Sequence, residues 1–290
     1  FYNQVLGLSG FLASLAIVIA LLVDAVSDPV IGSWSDGVRH RWGRRHPFMY
    51  AAAAPFAICF YFLFSPPAEL TETQVFVWLV VFSVLTRTTQ SIYSIPHTSL
   101  TAELSTDYQE RTLLSSLRSL LQSVGTLMVF LIGLQVFFGA TAEYPNGQLN
   151  PSAYPRFAGM FSIVIFIGVF LTAYGTHSHI PYLPQANPDG HRFSLQNVMR
   201  EAAMAFGLRS FKAVVLTAVL FGMTMGMVSA LSIYLGTLYF QFSLELIGLS
   251  FPASVLGSFL GAGLAAPLGR IFQEKKTLLM GGLIWYAVWN

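Results

Sequence analysis

Long apolar runs alternate along this chain with short polar or basic connectors. The runs extend from Leu8 to Trp34, Phe48 to Ser65, Val75 to Leu104, Leu113 to Phe138, Phe157 to Tyr174, Ala213 to Phe240 and Ile247 to Leu268, and an eighth begins near Thr277. Each of the first seven is long enough to cross a hydrocarbon layer, which takes about 17 to 25 residues of helix. Backbone polar groups in lipid have to be satisfied within the segment, so runs of this length are read as helices. The pattern predicts an all-α membrane protein.

Composition agrees. Hydrophobic residues make up 54% of the chain and charged residues 10%, with a mean hydropathy of +0.63, whereas a soluble domain carries roughly 25% charge. A soluble protein is excluded, and no nucleic-acid partner is expected. The chain opens on Phe1-Tyr2 and closes inside the apolar run LIWYAVWN, so the expectation is a fragment of a longer protein.

The charges are sorted by side. RHRWGRRHP, DYQERTLLSSLR, HRFSLQNVMREAAMAFGLRSFK and GRIFQEKK hold thirteen of the fifteen Lys and Arg; the intervening connectors hold Arg156, and Arg87 lies inside a span. Basic connectors collect on the cytoplasmic side. The Leu8 span is therefore expected to run inward, with the later spans alternating, in a plasma or inner membrane.

Five spans precede a linker, about Gly175 to Lys212, that is rich in Pro, Asn, Gly and charge. This divides the chain into a bundle over 1–175, a cytoplasmic linker over 176–212 and the start of a second bundle over 213–290. SLQNVMREAAMAFGLRSF within the linker suits either an interfacial helix or an irregular connector. GSWSDGVRHRWGRR and GAGLAAPLGRIFQEKK each join a Gly-rich helix end to a basic turn on the same side, a weak sign of parallel halves. Ala253, Gly257, Gly261, Ala265 and Gly269 recur every fourth residue, as do Gly222, Gly226 and Ala230, which reads as close helix packing. Cys59 is a small buried apolar residue in this reading. The histidines lack metal-ligand spacing, and His40, His46, His177, His179 and His191 are expected in solvated loops.

Within DAVSDPVIG, Asp24, Ser27 and Asp28 stand at i, i+3 and i+4 and share one helix face. Asp24 lies about 24 Å along the helix from Leu8. A carboxylate at such depth costs about 2.5 to 3.5 kcal/mol on insertion scales. Two of them on one face suit a cation site, with Ser27 as a neutral oxygen. Pro29 releases the carbonyl of Ala25 as a further ligand. The alternative is a water-filled cavity or an ion pair that serves folding alone.

A second polar stripe, Arg87, Gln90, Ser91, Ser94 and Thr98, keeps to one helix face. Arg87 at mid-membrane requires a partner: either Asp24 or Asp28, or else a polyhydroxylated or anionic solute. Arg118 and Gln122 extend the theme on the next span, with snorkelling as the alternative for Arg118. Tyr234 and Thr237 offer hydroxyls from the second bundle, although aromatic packing is the simpler reading.

DAVSDPVIGSWSDGVRHRWGRRHPF, followed by IYSIPHTSLTAEL and DYQERT, resembles the glycoside-pentoside-hexuronide:cation symporters of the major facilitator superfamily, including their melibiose permease members. The resemblance runs along the whole chain. It implies two six-helix bundles, of which helices 2 to 9 are represented here, and alternating access driven by Na⁺ or H⁺. It also implies that Asp24 and Asp28 hold the coupling cation and that Gly32, Asp36, Gly43, Arg44 and Arg45 form a conformational latch. Ser94 stands where melibiose permeases carry an acidic residue, which counts against a melibiose-type galactoside site.

The expected function is a monomeric cation-coupled symporter of a sugar or related small solute, without enzymatic activity, cofactor or resident metal. Lysophospholipid transport on the same fold is an alternative. So are a Mg²⁺-dependent prenyltransferase built on Asp-x-x-x-Asp and a membrane sensor on a transporter scaffold.

Overall fold

The computed structural model describes residues 1–183 apart from 106 and 146, residues 200 and 203–234, and isolated positions at 239, 256, 257 and 260. The basic segment at 270–276, His191, Thr237 and all of the Ala253 to Gly269 small-residue series except Gly257 lie outside the described residues.

Helices α1 (Gly10–Gly37), α2 (His46–Leu63), α3 (Glu72–Glu103), α4 (Tyr108–Ile132), α5 (Ala153–Gly175) and α6 (Arg209–Tyr234) match six of the apolar runs. All six contain stretches long and apolar enough to cross a membrane. Among the described residues there is no strand. Local chemistry sets the ends. Ser9 Oγ accepts from Leu12 N at the start of α1, Pro47 occupies the first turn of α2, and Thr71 with Gln74 forms a capping box on α3. α4 ends in a π-helical turn, Gly133–Phe137, and α5 runs into a 3₁₀ segment, His177–Tyr182. Of the segment read as an interfacial helix, 203–207 is helical and breaks at Leu208. α1, α2 and α3 each carry one interior proline: Pro29, Pro55 and Pro96.

The chain divides into two compact units. The first holds Phe1–Leu104 and Leu131–Arg200, and the second holds Ser105–Phe130 and Glu201–Asn290. In the first, α3 packs on α1 and on α2, and α2 also packs on α5. Directions follow from the ends. Tyr2 donates to Leu63 O at 2.6 Å, Ser9 N donates to Glu72 Oε1 at 3.4 Å, and the Phe1 ring stacks on Tyr154 at 4.1 Å. These contacts gather the start of α1, the end of α2 and the starts of α3 and α5. The opposite end gathers Arg45, Glu103, His46 and Thr176. α1, α3 and α5 therefore run one way and α2 the other, in the alternation that the charge asymmetry predicts.

The interior of this unit is built largely of small side chains. Ala16, Ala20, Ala52, Ala53, Ala57, Ala158 and Ala173 are buried, while Leu22, Val26, Ile163 and Leu171 point outward and are exposed. Such a distribution suits a lipid surround, where small residues let helices approach and large apolar ones face the solvent. In the second unit, Val214, Leu216 and Phe221 of α6 are likewise exposed.

Candidate functional site

α1 and α3 lie side by side and parallel. A Cβ on Gly32 would sit 3.8 Å from Ile95 Cγ2. Eight residues earlier on each helix, Arg87 Nε donates to Asp24 Oδ2. The equal intervals show the two helices in register. Of the two carboxylates considered for Arg87, the one it contacts is Asp24.

Asp24 is buried, whereas the Arg87 side chain is 43% exposed. The other Asp24 oxygen, Oδ1, is buried without a hydrogen-bond partner, as are Ser27 Oγ and Asp28 Oδ1. Three oxygens within a little over one helical turn are thus withdrawn from solvent and left unsatisfied. Each such group carries a desolvation cost, which a positively charged ligand would offset.

The α3 stripe divides. Ser91 is buried and Ser94 half-buried, while Arg87, Gln90 and Thr98 are exposed. Thr86 is buried beside the stripe with its Oγ1 unpartnered. Arg118 and Gln122 lie on α4 in the second unit, both exposed. The hydroxyls around them turn inward on their own helix: Ser119 Oγ donates to Ser115 O at 3.1 Å and Thr126 Oγ1 to Gln122 O at 2.9 Å.

At the basic end of the first unit two of the five latch candidates, Arg44 and Arg45, meet a residue that sequence reasoning had given no role, Glu103. Its Oε1 accepts from Arg44 Nη2 at 2.6 Å, Arg45 Nη2 at 2.5 Å and Arg45 Nε at 2.9 Å. Arg45 Nη2 also lies 3.0 Å from Asp36 Oδ1. The Arg45 and Glu103 side chains are 8% and 13% exposed and Asp36 is 55% exposed, so the pair with Glu103 is the buried one. Gly43 turns the loop into position. Its φ is +74°, its N donates to His40 O at 2.9 Å, and an added Cβ would lie 3.4 Å from Ile180 Cγ2.

Two histidines expected in solvated loops prove to be packed. His46 is fully buried, its Nε2 3.0 Å from Thr176 Oγ1. Thr176 gives its own proton to Thr172 O at 2.9 Å, so the hydroxyl accepts from His46 Nε2–H and leaves Nδ1 as the acceptor of the neutral ring. His177 Nδ1 lies 3.2 Å from the Tyr50 hydroxyl. The expectation fails because Pro47 opens α2 directly after the basic run and draws His46 into the first helical turn. His40 and His179 are exposed, as expected.

Residues 1–289 match the family described as MFS/sugar transport protein. An uncharacterised symporter of Synechocystis is 32% identical over 48% of this chain and 26% of its own length. The isoprimeverose transporter of Lactiplantibacillus pentosus is 30% identical over 59% of this chain and 35% of its own length. A sodium-dependent lysophosphatidylcholine symporter of Danio rerio is 30% identical over 49% and 27%. The chain thus matches about a quarter to a third of the length of these relatives. With six helices of spanning length and a family match along nearly every residue, it is an all-α integral membrane protein and belongs to the MFS/sugar transport protein family of the major facilitator superfamily.

Proposed function

We propose that this chain forms part of a cation-coupled symporter that moves a sugar or related small solute by alternating access. The observation that carries this reading is the set of buried, unpartnered oxygens Asp24 Oδ1, Ser27 Oγ and Asp28 Oδ1, beside an Asp24 that already holds Arg87.

A monovalent cation taken up by these oxygens would compete with Arg87 for the charge of Asp24. The guanidinium, released in part, would then be available to solute hydroxyls together with Gln90, Ser91, Ser94 and Thr98. Cation and solute binding are coupled in this scheme because each favours the same arrangement of Arg87. One charge crossing 100 mV supplies about 2.3 kcal/mol, enough to concentrate a neutral solute roughly fifty-fold. The Arg44, Arg45, Asp36 and Glu103 cluster acts as the latch between the α1–α2 loop and the end of α3, and Gly32 and Gly43 shape its approach. The division into bundles over 1–175 and 213–290 with a linker over 176–212 belongs to this proposal, as do a monomeric state and the absence of catalysis.

The names of the matched relatives favour symport and lend no support to the prenyltransferase alternative. The test is uptake by the intact protein in proteoliposomes, with labelled glycosides and a lysophospholipid offered under a Na⁺ or a pH gradient. Gradient-driven sugar accumulation that disappears in Asp28→Asn is the expected result. Gradient-driven accumulation in Asp28→Asn equal to the wild type would remove the assignment of the cation site, and accumulation of the lysophospholipid alone would replace the solute class.

A further inference from the structure

We propose that the basic end of the first unit binds an acidic phospholipid of the adjoining leaflet, phosphate against arginines and acyl chain along α2, at a site that does not include Asp24, Ser27, Asp28 or Arg87. A cavity of about 340 Å³ opens at the loop between α1 and α2. Its charged lining, among the described residues, is Arg39, Arg41, Arg44 and Arg45 against the one carboxylate of Glu103. Glu103 spends Oε1 on both Arg44 and Arg45, yet Arg44 Nε and His46 Nδ1, on two residues of the same lining, stay buried without a partner. The first is a cationic donor and suits a phosphate oxygen. The second is the acceptor of a neutral imidazole and suits a headgroup hydroxyl. Arg41 stands over the Trp42 ring at 5.3 Å, which positions an exposed guanidinium at the rim.

The neighbouring surface distinguishes a lipid from a soluble anion. A second cavity, of about 350 Å³, is lined by Trp34, Val38, Pro47, Phe48, Pro55 and Ile92 among others, and it is almost wholly apolar. Val38 borders both cavities, and the chain passes from Arg45 and His46 in the first to Pro47 and Phe48 in the second. A charged head joined to a hydrocarbon chain matches that sequence of surfaces, and a free anion uses only half of it. Basic pockets between membrane helices on the cytoplasmic side recognise acidic headgroups through this combination.

The experiment takes the intact protein in a neutral detergent and counts retained lipid by native mass spectrometry. The probes are phosphatidylglycerol, phosphatidylcholine with the same chains, and inorganic phosphate. Phosphatidylglycerol is expected to be held about tenfold more tightly than phosphatidylcholine, a difference of about 1.4 kcal/mol. Arg41→Gln should remove most of that preference while leaving phosphatidylcholine retention as it was, which also serves as the control for folding. Equal retention of the two lipids by the wild type, or a preference untouched in Arg41→Gln, overturns the proposal. Retention of inorganic phosphate without any preference for phosphatidylglycerol also overturns it, since the cavity would then be a site for a soluble anion.

Discussion

Asp24 on α1 and Arg87 on α3 form a direct ion pair within the membrane-spanning part of the first unit, and the pair leaves the second oxygen of Asp24 unsatisfied. Arg87 therefore neutralises Asp24 in charge without completing its hydrogen bonds. Loss of either partner should cost more than loss of both. Arg87→Gln is expected to destabilise the intact protein by about 1 to 3 kcal/mol, the range for a hydrogen bond to a charged group, toward the low end because the arginine is partly exposed. Asp24→Asn combined with Arg87→Gln should recover part of this. Thermal unfolding in detergent of the wild type, both single variants and the double variant measures the coupling; strictly additive losses would contradict a direct pair.

The charged cluster at the basic end contains one strong contact and one weak one. Glu103→Gln removes the negative charge of the buried acceptor that two arginines share and should cost about 3 kcal/mol. Asp36→Asn, at a half-exposed position, should cost less than about 1 kcal/mol. Unfolding midpoints of the two variants are expected in that order, and the reverse order would show that Asp36 is the principal partner of Arg45.

Gly43 is required by backbone conformation. Gly43→Ala places a side chain at φ +74° and should lose about 1 to 2 kcal/mol. Gly43→Asn should lose less, because asparagine tolerates this region. Comparison of the two unfolding midpoints checks the sign of the difference.

The six helices were legible because lipid imposes one dominant rule, long uninterrupted apolarity. The cation-site candidates were legible for the converse reason: carboxylates in an apolar run stand out. Glu103 did not stand out. A carboxylate at the end of a span is ordinary in sequence, and only the return of the Arg44–Arg45 loop over the end of α3 turns it into a buried acceptor. His46 was missed because Pro47 draws it into the first turn of α2 and its partner there, Thr176, is 130 residues away. The grouping of Ser105–Phe130 with the second unit is equally a matter of long-range contact.

Thr176 makes its own contribution. Thr176→Val retains the shape but deprives His46 Nε2 of its acceptor and should cost about 1 kcal/mol, whereas Thr176→Ser should be close to wild type. An unfolding midpoint unchanged in Thr176→Val would show that His46 finds another partner.

The interior prolines of α1, α2 and α3 have a mechanical consequence. Each removes one rung from its helix, leaving the carbonyls of Ala25, Ala51 and Ile92 without their usual amide. Pro29 and Pro96 lie well past the midpoints of inward-running helices, and Pro55 falls at the middle of the short α2. Bending compliance is thus concentrated from mid-depth toward the basic end, while the opposite end is tied by Tyr2 to Leu63 and Ser9 to Glu72. The first unit is thus tied at both ends, by Tyr2 and Ser9 at one and by Arg45 and His46 at the other, with its joints between them. Amide exchange should be faster around Ile31 and Thr98 than around Ala16 and Leu79.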